Sequence, residues 1–268
     1  MAIIGAILGD IAGSQYEYDR PKDLDWEMCE LFTKECSFTD DTVMTLAVKN
    51  AIDQNLDFET AMRQLGKNYP YCGYGNTFFE WIFCTNPHPY NSFGNGAAMR
   101  VSYIGEFFEK FEDVVAYSKK SAEVSHNHPE GIKGAVTTAV CVWMAKHKKS
   151  KNEIYEYVLS QYPPEQYPFS IDKELSYLEQ YYSWDVKCQT SVPVAMRCFY
   201  ESESYESFLR NVFRLECDMD TLCAIGGGVA EEYYGKTGFK NHKILEYYLD
   251  ERLMQILNNV EVMVALPL

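Results

Sequence analysis

Phe38-Thr39-Asp40-Asp41-Thr42 opens an apolar run, Val43, Met44, Leu46, Ala47 and Val48. Side-chain oxygens at a helix start accept the unpaired amide protons of the first turn. One Thr or Asp is enough for that. Two adjacent carboxylates repel each other, and a hard cation held between them and a neighbouring hydroxyl relieves the repulsion. The same grammar returns as Asp218-Met219-Asp220-Thr221, which feeds the small-apolar run Leu222 to Ala230. The pair predicts two helix mouths that face each other and hold metal.

Outward from that stretch, Ala2 to Gly13 sets Gly5, Gly9 and Gly13 four apart, with Ile3, Ile4, Ile7, Leu8 and Ile11 between them. That spacing puts the glycines on one helix face, where a neighbouring backbone can come close. Asp10 cuts the apolar run short of membrane-spanning length, and no basic segment precedes it. A soluble, cytoplasmic protein is expected. Glu17 follows in Gly13-Ser14-Gln15-Tyr16-Glu17, by itself an ordinary loop carboxylate.

The 268 residues carry a formal net charge of −15, which argues against direct nucleic-acid binding. An anionic ligand would need local positive charge, which bound divalent cations supply. None of the nine cysteines forms a C-x-x-C pair, and buried reduced thiols are the expectation.

Downstream of the first acidic stretch, helical patterns run from Thr42 to Asn55, Asp57 to Lys67 and Asn76 to Cys84. Gly94-Asn95-Gly96-Ala97-Ala98-Met99-Arg100 is a glycine-bearing turn entering a helix expected to reach Phe108. Backbone amides at such a turn can cradle a phosphate. Helices are expected over Asp113 to Val124 and Gly131 to His147. Between them stands Ser125-His126-Asn127-His128. A His-x-His pair shares one face only on a strand, and helical patterns flank this one, so a turn with one functional His is expected. Residues 150 to 170, with Pro163, Pro164 and Pro168, read as an insertion or loop. Thr190-Ser191-Val192-Pro193 reads as a helix start, and further helices are expected over Tyr205 to Leu215, Leu222 to Tyr234 and Ile244 to Leu257. Strand-like alternation never exceeds a few residues. The expectation is an all-α fold, one compact bundle-like domain over residues 1–268.

Gly9-Asp10-Ile11-Ala12-Gly13 with Glu17, Phe38 to Thr42, Gly94 to Arg100, Ser125-His126, and Asp218 to Thr221 occur in one order. That set resembles the ADP-ribosylglycohydrolase family, the dinitrogenase reductase-activating glycohydrolase and its relatives, over about residues 1 to 235. The resemblance implies a metal-dependent hydrolase releasing ADP-ribose from a modified protein or other ADP-ribose conjugate. It implies a binuclear Mg²⁺ or Mn²⁺ centre held by Thr39, Asp40, Asp41, Asp218, Asp220 and Thr221. Glu17, Asp40 and Asp220 would carry the chemistry. Gly94, Asn95 and Gly96 would contact the diphosphate, and Phe93 and His126 would line the groove. Two departures stand out: Glu216-Cys217 replace the family's Gly-Gly before the second acidic stretch, and Glu231-Glu232 replace small residues near the end of the following helix. A two-metal phosphohydrolase and a catalytically silent ADP-ribose-binding member of the same fold are the alternative readings.

Overall fold

Gly5, Gly9 and Gly13 line the seam that holds the molecule together. In the computed structural model, which describes residues 1–259, α1 (Ala2–Ser14) lies against a second helix, Met219–Tyr234, backbone to backbone. A Cβ on Gly5 would stand 2.3 Å from the Gly227 carbonyl oxygen. One on Gly9 would stand 2.2 Å from that of Cys223, and one on Gly13 would stand 2.6 Å from the Asp220 Cα. The close face expected from the four-residue spacing is therefore real, and its partner is the helix of the second acidic motif. Residues 260–268, the end of the expected domain, lie outside the described residues.

The other helices are α2 (Asp40–Asp53), α3 (Phe58–Asn68), α4 (Asn76–Phe83), α5 (Gly96–Met99), α6 (Ser102–Phe107), α7 (Phe111–Glu123) and α8 (Pro129–Lys146). They continue as α9 (Lys151–Gln161), α10 (Leu175–Tyr181), α11 (Cys188–Tyr200), α12 (Tyr205–Phe213), α13 (Met219–Tyr234), α14 (Asn241–Tyr248) and α15 (Glu251–Leu257). Among the described residues there is no strand, only an isolated bridge between Gly94 and Lys187, so the fold is all-α as expected.

α13 is the axis, buried from Met219 to Glu231. A helix enclosed on every side needs small residues wherever a neighbour crosses closely. Gly226, Gly227 and Gly228 meet that need in three directions: Phe208 of α12, Gly5 of α1 and Ser102 of α6. α8 and α11 pack around the same axis.

α1 has no side-chain cap of its own. Its first-turn amides are met from elsewhere, Ile3 N–H by Glu106 at 3.0 Å and Gly5 N–H by Glu231 at 2.5 Å. Glu231, a departure from the family pattern, is thus a buried cap supplied by α13 to α1. Burial pushes its carboxyl up to about 7.

Several boundaries differ from the sequence reading. Residues 150 to 170 are not all loop, because Ser150 and Glu153 form a reciprocal capping box that starts α9. The helix expected through Phe108 breaks after Met99, and the one expected from Ile244 to Leu257 breaks where Asp250 caps α15. α11 begins at Cys188, two residues before the expected start, with Pro193 inside it.

Candidate active site and metal centre

The two acidic helix mouths do face each other. Thr39 caps α2, accepting the Asp41 N–H at 3.2 Å, and Asp218 stands at the N-terminus of α13. The Thr221 hydroxyl of α13 donates to Asp41 Oδ2 of α2 at 3.2 Å, which ties the two mouths directly. Carboxylate oxygens of Glu17, Asp218 and Asp220 lie within 4.8 Å of one another, and so do those of Asp10, Asp41 and Asp220.

Asp10 is the residue sequence reasoning missed as part of the site. It is fully buried on α1, and both its oxygens are engaged at the α2 mouth. It accepts the Thr39 N–H and Thr42 N–H at 3.0 Å each and the Thr39 hydroxyl at 2.7 Å, and the Thr42 hydroxyl as well. A capping box normally satisfies the N-cap and third-position amides from within one helix. Here a carboxylate from another helix satisfies both. Its place three positions from Gly13, in the stretch that packs on Asp220, was the available signal.

Six carboxylates therefore converge: Asp10, Glu17, Asp40, Asp41, Asp218 and Asp220. Among the described residues none is ion-paired with Lys or Arg. Burial and then mutual repulsion hold Asp40, Asp41 and Asp220 well above the usual carboxylate range. Burial raises Asp10 and Asp218 too, although hydrogen bonds from Thr39 and Thr42, or from Asn95, pull the other way. Burial, reinforced by the charge of Asp218, pushes Glu17 up to about 7. Asp41 Oδ1 is buried with no hydrogen-bond partner. Repelling carboxylates, an orphaned oxygen and adjacent hydroxyls are a donor set that fits hard divalent cations.

The mouths open into a cavity of about 380 Å³. Glu17, Asp40, Asp41, Asp218, Asp220 and Thr221 line it, as do Gly94, Asn95, Gly96 and His126. Thr39 lies behind this wall, its hydroxyl turned to Asp10. Phe93 is not in the wall: it is exposed and packs edge-on against His128, ring centres 5.2 Å apart. Trp184 and Val186 stand there instead. Their loop is pinned to the glycine turn, with the Asn95 N–H donating to Val186 O at 2.7 Å and the Cys188 N–H to Phe93 O at 2.9 Å. No local pattern marks residues 184 to 186 as site residues, since only that pairing brings them over the cavity.

The glycine turn is more committed than its sequence suggests. Gly94 N–H donates to Ser92 Oγ at 3.1 Å and Asn95 N–H to Val186, so Gly96 carries the turn's unengaged amide among the described residues. The Asn95 side chain donates to Asp218 Oδ2 at 2.7 Å, linking the turn to the acidic cluster. In the departure before the second acidic stretch, Glu216 is exposed and absent from the cavity wall, and Cys217 is buried with its thiol toward Val212 O. Neither adds charge to the acidic cluster.

The sequence model of the ADP-ribosylglycohydrolase family matches residues 1–263. The chain is similar to the ADP-ribosylhydrolase ARH3 of Mus musculus, 26% identical over 306 residues that cover 87% of this chain and 82% of the relative. The Homo sapiens protein of the same name is 25% identical over 308 residues, covering 87% and 84%. Among solved structures, an ADP-ribosylglycohydrolase-related protein complex superposes with a TM-score of 0.72 at 18% identity, over 97% of this chain and 96% of that one. This chain belongs to the ADP-ribosylglycohydrolase family.

Proposed function

We propose that this chain hydrolyses the bond between the anomeric carbon of ADP-ribose and its acceptor, a modified protein side chain or another conjugate, and releases ADP-ribose. Two divalent cations, Mg²⁺ or Mn²⁺, would be held by Thr39, Asp40, Asp41, Asp218, Asp220 and Thr221. The observation that carries the reading is the meeting of the two acidic helix mouths with no Lys or Arg paired to them among the described residues. Bound there, such ions would acidify a coordinated water and hold the ribose hydroxyls in place.

The chain's own groups divide the remaining work. Asp10 holds the α2 mouth rigid through Thr39 and Thr42, and Asn95 orients Asp218. Glu17, half-buried beside Asp218 and Asp220, is the general base that takes the proton of the attacking water. Its carboxyl, pushed up to about 7, suits it to return that proton to the leaving group. Gly96 N–H and the buried guanidinium of Arg100 offer positive charge to the diphosphate. Phe78, Tyr90 and Trp184 supply aromatic wall.

The test is a turnover screen on peptides ADP-ribosylated at arginine or serine and on ADP-ribosylated nucleobase, with free ADP-ribose detected as product, in Mg²⁺ and in chelator. Release that requires Mg²⁺ is expected. Phosphate release from nucleotides without free ADP-ribose would make the chain a phosphohydrolase, and ADP-ribose binding without turnover would make it a binding protein.

A further inference from the structure

We propose that Arg100 and Ser125 are positioning residues that lock His126 in the neutral tautomer with its proton on Nε2. The ring then offers the cavity a hydrogen-bond donor and not a base. The inference uses the function proposed above only for the identity of the ligand.

Arg100 is fully buried and has no carboxylate partner among the described residues. Its Nη2 donates to the Ser121 carbonyl at 2.7 Å and to Ser125 Oγ at 3.3 Å. A guanidinium can only donate, so the Ser125 oxygen is the acceptor there. Ser125 Oγ also lies 2.8 Å from His126 Nδ1. A hydroxyl oxygen can accept twice, but among the described residues the Ser125 proton has no acceptor other than Nδ1, so the hydroxyl donates there and Nδ1 accepts. A neutral imidazole with an accepting Nδ1 carries its proton on Nε2.

The other ring edge is where a ligand would meet it. Nε2 makes no hydrogen bond among the described residues. It lies 3.4 Å from where a Cβ would stand on Gly94 and on Gly96, and His126 lines the cavity. The small residues of the turn leave this edge open. Phe78 and Tyr90 hold the ring in place, with ring centres at 6.0 and 5.8 Å. The groups facing it that could change charge are Arg100 and Tyr90, and burial pushes the Tyr90 hydroxyl up to about 12. Burial and then the Arg100 charge hold His126 well below the usual histidine range, so the ring stays neutral from mildly acidic to alkaline pH. The partner chemistry it selects is an oxygen acceptor, a phosphate or hydroxyl oxygen of the ligand.

The tautomer is read directly by nitrogen-15 NMR of histidine-labelled protein. The wild type is expected to show His126 with an unprotonated Nδ1 and a protonated Nε2, unchanged between pH 5.5 and 8. Ser125→Ala, with its folding checked by circular dichroism, is expected to mix the tautomers and weaken ADP-ribose binding about five- to tenfold, the scale of one hydrogen bond. His126→Gln, whose amide can donate from a similar position, should bind more tightly than His126→Ala. A proton on Nδ1 in the wild type, an imidazolium at pH 7, or a wild-type tautomer in folded Ser125→Ala would overturn the proposal. If the tautomer pattern holds while ADP-ribose does not bind, the proposed ligand fails and the tautomer assignment stands.

Discussion

Gly9→Ala tests the α1–α13 seam on which the whole site depends. A methyl group at Gly9 would stand 2.2 Å from the Cys223 carbonyl oxygen and 2.6 Å from its carbon, whereas ordinary contact begins at 3.4 Å. The two helices must therefore part locally by about 1.2 Å (3.4 − 2.2), or the backbone must distort. Overpacking costs about 1–3 kcal/mol, and backbone atoms that cannot rotate away put this case at the upper end. Alanine's better helix propensity offsets about 1 kcal/mol of that. A net loss of about 2 kcal/mol corresponds to a fall in Tm of roughly 4–8 °C for a chain of this size. The functional loss should be larger. Asp10 is the next residue, and Asp220 stands one turn before Cys223, so the same shift separates Asp10 from Asp41 and Asp220. A misplacement of about 1 Å at a reacting centre can cost on the order of 10²-fold in rate. Thermal denaturation, Mg²⁺ titration calorimetry and ADP-ribose release would be measured together. Gly75→Ala serves as control for the melting temperature alone, because a Cβ there meets nothing within 4 Å although the residue lines the cavity. If Gly9→Ala melted within a degree of the wild type and kept its Mg²⁺ affinity, the close seam would not be what sets the site.

The other predictions concern the cluster and the cavity wall. Asp40→Ala and Asp220→Ala should each lose at least one cation equivalent in calorimetry while the circular dichroism spectrum is kept; unchanged stoichiometry in both would remove the metal assignment. Glu17→Gln should lower turnover about 10²–10⁴-fold with cation and ADP-ribose binding intact, and recovery in excess Mg²⁺ would reduce Glu17 to a ligand. In chelator, the raised carboxyls hold protons in the folded state that the unfolded chain releases near its ordinary values of 3.8 and 4.5. The folded state thus binds more protons, and stability present at low pH is lost as pH rises, with Glu17 titrating near 7. Tm in chelator should be lower at pH 8 than at pH 5.5, saturating Mg²⁺ should flatten that decline, and a rise with pH in chelator would contradict the charge reading. Trp184→Ala should weaken ADP-ribose binding by about 1–3 kcal/mol if the base stacks there, with Phe93→Ala near wild type; the reverse order would return the base to Phe93.

The family's motifs were legible because each is a local statement. Two runs of oxygen donors at helix starts announced the acidic mouths, and a four-residue glycine spacing announced a close helix face. The all-α class followed from apolar periodicity in the same way. What the chain order did not disclose is which distant residues share a wall. Asp10 reads as an interruption of an apolar helix until α13 draws α1 onto the α2 mouth, where it becomes a cap for Thr39 and Thr42. Trp184 reads as a loop aromatic until the Asn95–Val186 and Phe93–Cys188 pairs fold its loop over the cavity, while Phe93, beside the motif in sequence, turns out to His128. Glu231 reads as a stray charge until it meets the amide of Gly5. Local patterns are set by hydrogen bonds and burial within a few residues, which the sequence carries in full. The site also needs groups more than a hundred positions apart, and only the packing of α1, α2 and α13 around one buried axis decides which of them meet.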